Sequence, residues 1–385
     1  HSMLPVEFNI VYEDFFQNPY PMLSELRKKA PISFVPQLNA ILLSKHEDIF
    51  VCEKNTAVFS SIQPDGLMTR LMGQNMMRKD GDEHKRERHV IFPTVSPKTT
   101  QNVWKQKFMD HTKKILNNLS KKQEIDLVNE FAKPVSAEAL KSITGLTNMT
   151  WQEMDRVSQG MIDGCANYNQ NKMVEENCHR CTASIDFHIQ ERLEQDLGSD
   201  PSLLSVFALK NEKFEIISAN VKLAISGGQN EPRDAIAGTI ATLLQNPIQL
   251  EKILNGEFDW LIAFEEYARW MSPIGMSPRR IAKDFSYKGF NFFENDRVFL
   301  MFGSANRDED IFEKPNEFML DRDVARSISF GAGPHFCAGA WISKTLISEV
   351  AIPMLFEKFP NMKLLSRVEY SGWAFRGPKP FFVKV

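Results

Sequence analysis

Phe330-Gly331-Ala332-Gly333-Pro334-His335-Phe336-Cys337-Ala338-Gly339 is a glycine-rich loop that delivers one cysteine to the start of a helix. A helix N-terminus and the loop's own N–H groups favour negative charge on sulfur, which lowers the thiol pKa and suits it to ligate a metal. Gly331, Gly333 and Gly339 let backbone approach closely. Dinucleotide binding is excluded, because Phe336 stands where the third glycine of that fingerprint belongs. The other cysteines, Cys52, Cys165, Cys178 and Cys181, lack this setting. Cys178-His179-Arg180-Cys181, with His188 further along, is incomplete as a zinc site and reads as helical packing.

Upstream of the loop, Glu266-Tyr267-Ala268-Arg269 places an acid and a base three apart on one helix face, where they pair within the protein. His84 and Arg88, four apart on a helix beginning near Asp80, also point the same way. Between these, apolar residues at helical spacing predict one long helix from about 213 to 245. Its middle is Gly227-Gly228-Gln229-Asn230-Glu231-Pro232. Pro232 lacks an N–H and displaces the carbonyl of Gly228, so a kink and a free carbonyl are expected there.

The rest of the chain frames these segments. It has 385 residues and a net charge of −3, with 43% hydrophobic and 25% charged residues, a globular composition without the basic footprint of a nucleic-acid binder. No stretch approaches the roughly 18 apolar residues of a spanning helix, and five cysteines, an odd number, fit a reducing compartment. A cytoplasmic protein without a membrane partner is expected, and His1-Ser2 reads as a cloning scar. No repeat or linker divides residues 3–385, so one domain is expected, mainly α with small β-sheets. Ile32–Val35 and Ala40–Leu43 form a small N-terminal sheet, and Tyr287–Phe290 and Val298–Met301 read as later strands.

Taken together, these segments resemble the cytochrome P450 superfamily, whose signature Phe-Gly-x-Gly-x-His/Arg-x-Cys-x-Gly is matched at every fixed position of the loop. Ala305-Asn306-Arg307-Asp308 and the stretch from Phe312 to Phe318 resemble the family's segment between Glu-x-x-Arg and the cysteine. The resemblance implies the P450 fold, with a long central helix over a thiolate-ligated haem b. Cys337 is then the metal ligand, with Phe330, Gly331 and Gly339 around it and His335 on a propionate. Glu266 and Arg269 support the pocket structurally. His84, Arg88 and Arg280 meet the propionates, with Arg279 as the second choice to Arg280. Two electrons come from NAD(P)H through a separate ferredoxin or flavin-containing reductase, and O2 is the co-substrate.

The long helix departs from the family, which usually shows Ala/Gly-Gly-x-Glu/Asp-Thr-Thr as a proton relay. Here Asn230 holds the acid position and Glu231 the threonine position. Glu231, with Gln229, Asn230 and Gly228 beside it, is therefore the candidate relay; the alternative is that Gln229 and Glu231 merely line a wet cavity. The Asn-Glu-Pro core and the tail Gly372-Trp373-Ala374-Phe375-Arg376-Gly377-Pro378 resemble bacterial aromatic O-demethylases, which act on guaiacol-type methoxyphenols. Gly227, Ile274 and Phe375 are the candidate substrate contacts, a core role for Phe375 remaining open. The expected activity is oxygen insertion into a small apolar or aromatic substrate, as O-demethylation. Hydroxylation or epoxidation of a terpenoid or fatty acid is the second reading, and a non-catalytic haem sensor or carrier the third.

Overall fold

Ile32–Val35 and Ala40–Leu43 pair antiparallel because Pro36–Leu38 makes a single 3-10 turn and Asn39 takes a left-handed φ of 48°. In the computed structural model, which describes residues 3–168, 170–331 and 337–385, these strands belong to a larger sheet. Its order is Val6–Glu7, Ile32–Val35, Ala40–Leu43, Arg297–Leu300, Ser277–Ile281 and Phe59–Ser60. The sequence pattern gives the strands but not this union, since the parallel pairing of Ile41 with Val298 joins segments far apart in the chain. Tyr287–Phe290 is not a strand. Lys288 (φ 49°) and Gly289 (φ 82°) form a two-residue turn between the strands Phe285–Tyr287 and Phe290–Phe292. Both turn residues are left-handed, the geometry that matches strand twist in a tight hairpin.

The chain divides into two compact units. The first, from His1–Gln63, Glu265–Cys337 and Glu369–Lys379, holds this sheet. The second, from Pro64–Phe264, Ala338–Val368 and Pro380–Val385, is helical, apart from a three-stranded sheet of Glu124–Asp126, Phe382–Lys384 and Lys363–Leu364. Its helices begin where polar caps occur. Thr150 accepts from the N–H of Glu153 to start Trp151–Cys165, and Ser202 accepts from that of Ser205 to start Leu203–Leu209. The helix Phe214–Gln245 runs without a break through Pro232.

The second unit's core explains the Cys-x-x-C pair. Cys178 and Cys181 lie on the helix Lys172–Leu193 and fill notches left by Gly164 and Gly160 of Trp151–Cys165. A Cβ on Gly164 would come within 2.6 Å of the Cys178 sulfur. Burial pushes the Cys178 thiol up to about 11, so it stays protonated and apolar in character. Among the described residues no cluster of His, Cys, Asp or Glu could hold a metal ion, and no helix is long and apolar enough to cross a membrane.

Candidate active site

The cysteine loop closes on itself. Gly331 takes a φ of 81°, which suits glycine, and donates its N–H to the Ile328 carbonyl at 2.9 Å. The Cys337 N–H donates to the Phe330 carbonyl, also at 2.9 Å, so both ends of the loop meet. Cys337 is half-buried. The expectation for His335 lies outside the described residues.

The loop's approach is fixed by Asn306. Its Oδ1 accepts from the Ile328 N–H (2.9 Å), and its Nδ2 donates to Ser329 Oγ (3.2 Å) and Ser272 Oγ (3.0 Å). The Asn306 carbonyl accepts in turn from Arg269 Nη1 at 2.9 Å. Arg269 grips Glu266 through Nε (2.6 Å) and Nη2 (3.1 Å), and donates to the carbonyls of Pro315 and Glu317. Glu266 Oε2 accepts from the Met319 N–H (2.6 Å) and Arg322 Nε (3.1 Å). A buried ion pair is costly unless its remaining donors and acceptors are satisfied, and here they are. The Glu-x-x-Arg pair thus pins the segment that leads to the cysteine. Asn306 was legible only as part of a family segment; its clamp depends on tertiary contacts.

The arginine choice needs correction. Alternation along Ser277–Ile281 turns Ser277, Arg279 and Ile281 to the buried side and Arg280 to the other. Arg280 donates from Nε to the Ile62 carbonyl (2.8 Å) and reaches Asn295 Oδ1 at 3.3 Å toward solvent. Arg279 is 2% exposed, with Nη2 3.7 Å from Glu53 Oε1. The buried cation is therefore Arg279. In the same unit Ile274 and Phe375 face each other across an antiparallel bridge, both half-buried. The bridge forms because Gly275 approaches the Trp373 carbonyl more closely than any Cβ permits.

In the second unit, His84 is buried and Arg88 half-buried on one face of Gly81–Val95. Glu87, on the same side, accepts from Lys79 Nζ (2.6 Å) and Asn220 Nδ2 (2.7 Å). The long helix has two faces. Leu223, Ala224, Gly227, Gly228 and Glu231 form a half-buried stripe at helical spacing, and a Cβ on Gly227 would meet open space. Gln229 and Asn230 point away from this stripe, which contradicts their assignment as catalytic groups. Gln229 Nε2 donates to Asp155 Oδ1 (2.9 Å) and the Lys133 carbonyl (3.2 Å). Asn230 Oδ1 accepts from Ser158 Oγ (2.6 Å) and its Nδ2 donates to Gln159 (3.2 Å). Rotation by about 100° per residue carries both toward the neighbouring helices.

Gly228 and its carbonyl also differ from expectation. A Cβ there would lie 2.8 Å from Leu140 Cδ1, so Gly228 permits helix packing rather than chemistry. Its carbonyl is not free. Ser136 Oγ is shared between it (3.3 Å) and the Gln229 carbonyl (3.0 Å), supplying a donor to Gly228 where Pro232 has none. Glu231 is the one side chain of the predicted relay that faces the open stripe, and no described residue hydrogen-bonds its carboxylate. Burial first, and the Asp234 carboxylate second, push its pKa up to about 8. At neutral pH Glu231 holds a proton. Asp234 is itself paired with Arg233 at 3.1 Å, and Arg233 with Asp155 at 3.2 Å.

The cytochrome P450 family profile matches residues 263–361, from the Glu-x-x-Arg helix through the cysteine loop. Polyketide biosynthesis cytochrome P450 PksS of Bacillus subtilis (strain 168) is 25% identical, over 94% of this chain and 93% of its own. Pulcherriminic acid synthase of the same organism is 24% identical, over 98% and 97%. The solved structure of P450BioI in complex with hexadec-9Z-enoic acid ligated acyl carrier protein superposes with a TM-score of 0.87 at 21% identity, covering 97% of this chain and all of that one. The chain has the cytochrome P450 fold, and residues 263–361 carry the family's own pattern. This P450 is accordingly a monooxygenase that uses haem b and electrons from a redox partner.

Its residues fit that cofactor. Burial pushes the Cys52 and Cys165 thiols up to about 12 and Cys178 to about 11, leaving them neutral packing groups. Cys337 is instead half-buried, its N–H held by the Phe330 carbonyl, two residues before Gly339, beside which a Cβ would meet open space. A cysteine kept out of the apolar interior is the donor that a thiolate-ligated haem would take. The neighbours give no support to the O-demethylase likeness, since they are polyketide, pulcherriminic acid and biotin enzymes.

Proposed function

We propose that this P450 inserts one oxygen atom of O2 into a C–H bond of a small aromatic substrate, and that a methoxy-aromatic is the substrate class. The observation that carries oxygen activation is the open stripe of the long helix, where Glu231 holds a proton beside the space at Gly227. When bound, the haem supplies oxygen reduction and C–H oxidation. Cys337 would hold it through the thiolate, with Phe330, Gly331 and Gly339 shaping the loop, while His84, Arg88 and Arg279 would be the cations for its propionates. Glu231 delivers a proton from its carboxyl group to oxygen and is recharged from solvent. Ile274 and Phe375 offer a paired apolar wall suited to a flat ring. The methoxy carbon gains a hydroxyl, and the hemiacetal collapses to a phenol and formaldehyde. O2, two electrons and two protons are consumed, and one water forms with the products. The electrons come from NAD(P)H through a ferredoxin or flavin-containing reductase.

The P450BioI complex supports a second reading, hydroxylation or epoxidation of a fatty acid or another extended apolar compound. Turnover of the haem-loaded enzyme with a competent reductase separates the two. Methoxyphenols should yield phenol and formaldehyde in equal amounts. Product from fatty acids or terpenoids alone would replace the first reading with the second.

A further inference from the structure

Beside Glu231 lies a set of buried charges, spread over three helices, to which the chemistry above gives no role. Arg233 is buried and held from two sides: its Nε donates to Asp234 Oδ1 at 3.1 Å and its Nη1 to Asp155 Oδ1 at 3.2 Å. Asp155, on Trp151–Cys165, also accepts from Gln229 Nε2 at 2.9 Å and meets Lys133 Nζ through Oδ2 at 3.5 Å. Lys133 starts the helix Lys133–Thr144, and its side chain, 28% exposed, brings the set to solvent. Two carboxylates are thus matched by two cations, the condition under which buried charges persist. Burial raises the Asp234 carboxyl and the Arg233 guanidinium opposes that, so the pair keeps Asp234 charged. Asp234 stands three residues after Glu231, which makes the two side chains neighbours on one helix face, about 5–6 Å apart at Cβ.

An ionised Glu231 would add a further negative charge to a set that is already balanced. Acids and bases elsewhere on the packed helices turn to their own partners: Glu138 to Lys141, Glu153 to Arg156, Glu130 to Lys122, Asp186 to Lys222 and Glu349 to Lys105. Asp163 and Arg70 are exposed. We infer that Asp155 and Asp234 are positioning residues for the relay: by clamping Arg233 and balancing the set, they leave Glu231 no counter-ion and so hold the proton on it. Asp155 does this from another helix, through Arg233. Removing either acid leaves a cation in excess, which an ionised Glu231 would neutralise; removing Lys133 leaves an acid in excess and has the opposite effect. This inference rests on the relay reading of Glu231 and extends it to the helices Trp151–Cys165 and Lys133–Thr144.

The test compares the thermal stability of each haem-loaded protein with that of its Glu231→Gln counterpart as pH is raised, for wild type, Asp155→Asn, Asp155→Glu and Lys133→Met. The difference grows with pH until Glu231 releases its proton in the folded protein, and then levels off. For wild type it should level off near pH 8. Asp155→Asn should level off about one unit lower, a roughly tenfold weaker hold on the proton. Asp155→Glu should stay near wild type, and Lys133→Met should level off about half a unit higher, its charge being partly screened by solvent. Product per NAD(P)H on the alkaline side should fall in Asp155→Asn and recover in Asp155→Glu. A lost structural contact does not give shifts of opposite sign for opposite charges. Unmoved plateaus, or shifts of the same sign in Asp155→Asn and Lys133→Met, overturn the inference. Should Asp155→Asn fail to fold, Lys133→Met decides, an unmoved or lowered plateau overturning it. Unchanged product per NAD(P)H in Glu231→Gln, with the plateaus shifted as expected, would instead defeat the relay reading and leave the charge balance standing.

Discussion

Glu231 links one carboxyl group to both stability and turnover. Its ordinary pKa is 4.5 and its folded value about 8, so between these limits the folded protein keeps a proton that the unfolded chain has released. Stability therefore falls as pH rises across that window, by on the order of a few kcal/mol. Glu231→Gln should remove this fall, so that the variant gains thermal stability over wild type at pH 8.5 and matches it near pH 4.5. Parallel melting curves across that range would contradict the assignment. In turnover the same variant should form less product per NAD(P)H while retaining haem. At Arg279 and Arg280 the two arginines separate by strand alternation. Arg279→Leu should lower haem retention and Arg280→Leu should leave it near wild type, as measured by haem content after gel filtration; equal losses would restore Arg280. The sequence shows two adjacent cations, but which faces inward depends on strand register, and register is set by the pairing of Arg279 with Val298.

At the scale of elements, Pro232 shows what local rules leave out of the long helix. A proline removes one N–H, and the pattern accordingly predicts a kink and an open carbonyl. Ser136, on the helix Lys133–Thr144, supplies a donor to the Gly228 carbonyl, and the helix continues. Nothing near Ser136 in sequence announces this, because the contact spans about ninety residues. Ser136→Ala should cost about 1–2 kcal/mol in denaturant unfolding. In a Pro232→Ala background, where a backbone N–H can serve the Gly228 carbonyl, the cost should shrink. A cost unchanged by Pro232→Ala would mean that the hydroxyl does not substitute for the missing donor. The two faces of the helix were half legible. Helical periodicity located the glycine pair and Glu231, but Gln229 and Asn230 gave no sign that they bind Asp155 and Ser158 rather than the open stripe.

For the whole molecule, the mainly helical fold and its small sheets followed from periodicity and caps, and the cysteine loop was readable because its chemistry is local. Sheet order was not, since the parallel pairing of Ala40–Leu43 with Arg297–Leu300 brings together strands separated by most of the chain. Nor did spacing reveal Asn306, whose amide connects the Glu266–Arg269 pair to the approach of the loop. That chain of contacts makes Cys337 the residue on which the account depends. The most direct test is the optical spectrum of haem-loaded wild type and Cys337→Ser, ferric and as the reduced carbon monoxide complex. Wild type should show the red-shifted Soret band of a thiolate-ligated haem, and Cys337→Ser should lose it. The same band in both proteins, or no haem uptake by wild type, would contradict the assignment of Cys337 as the ligand.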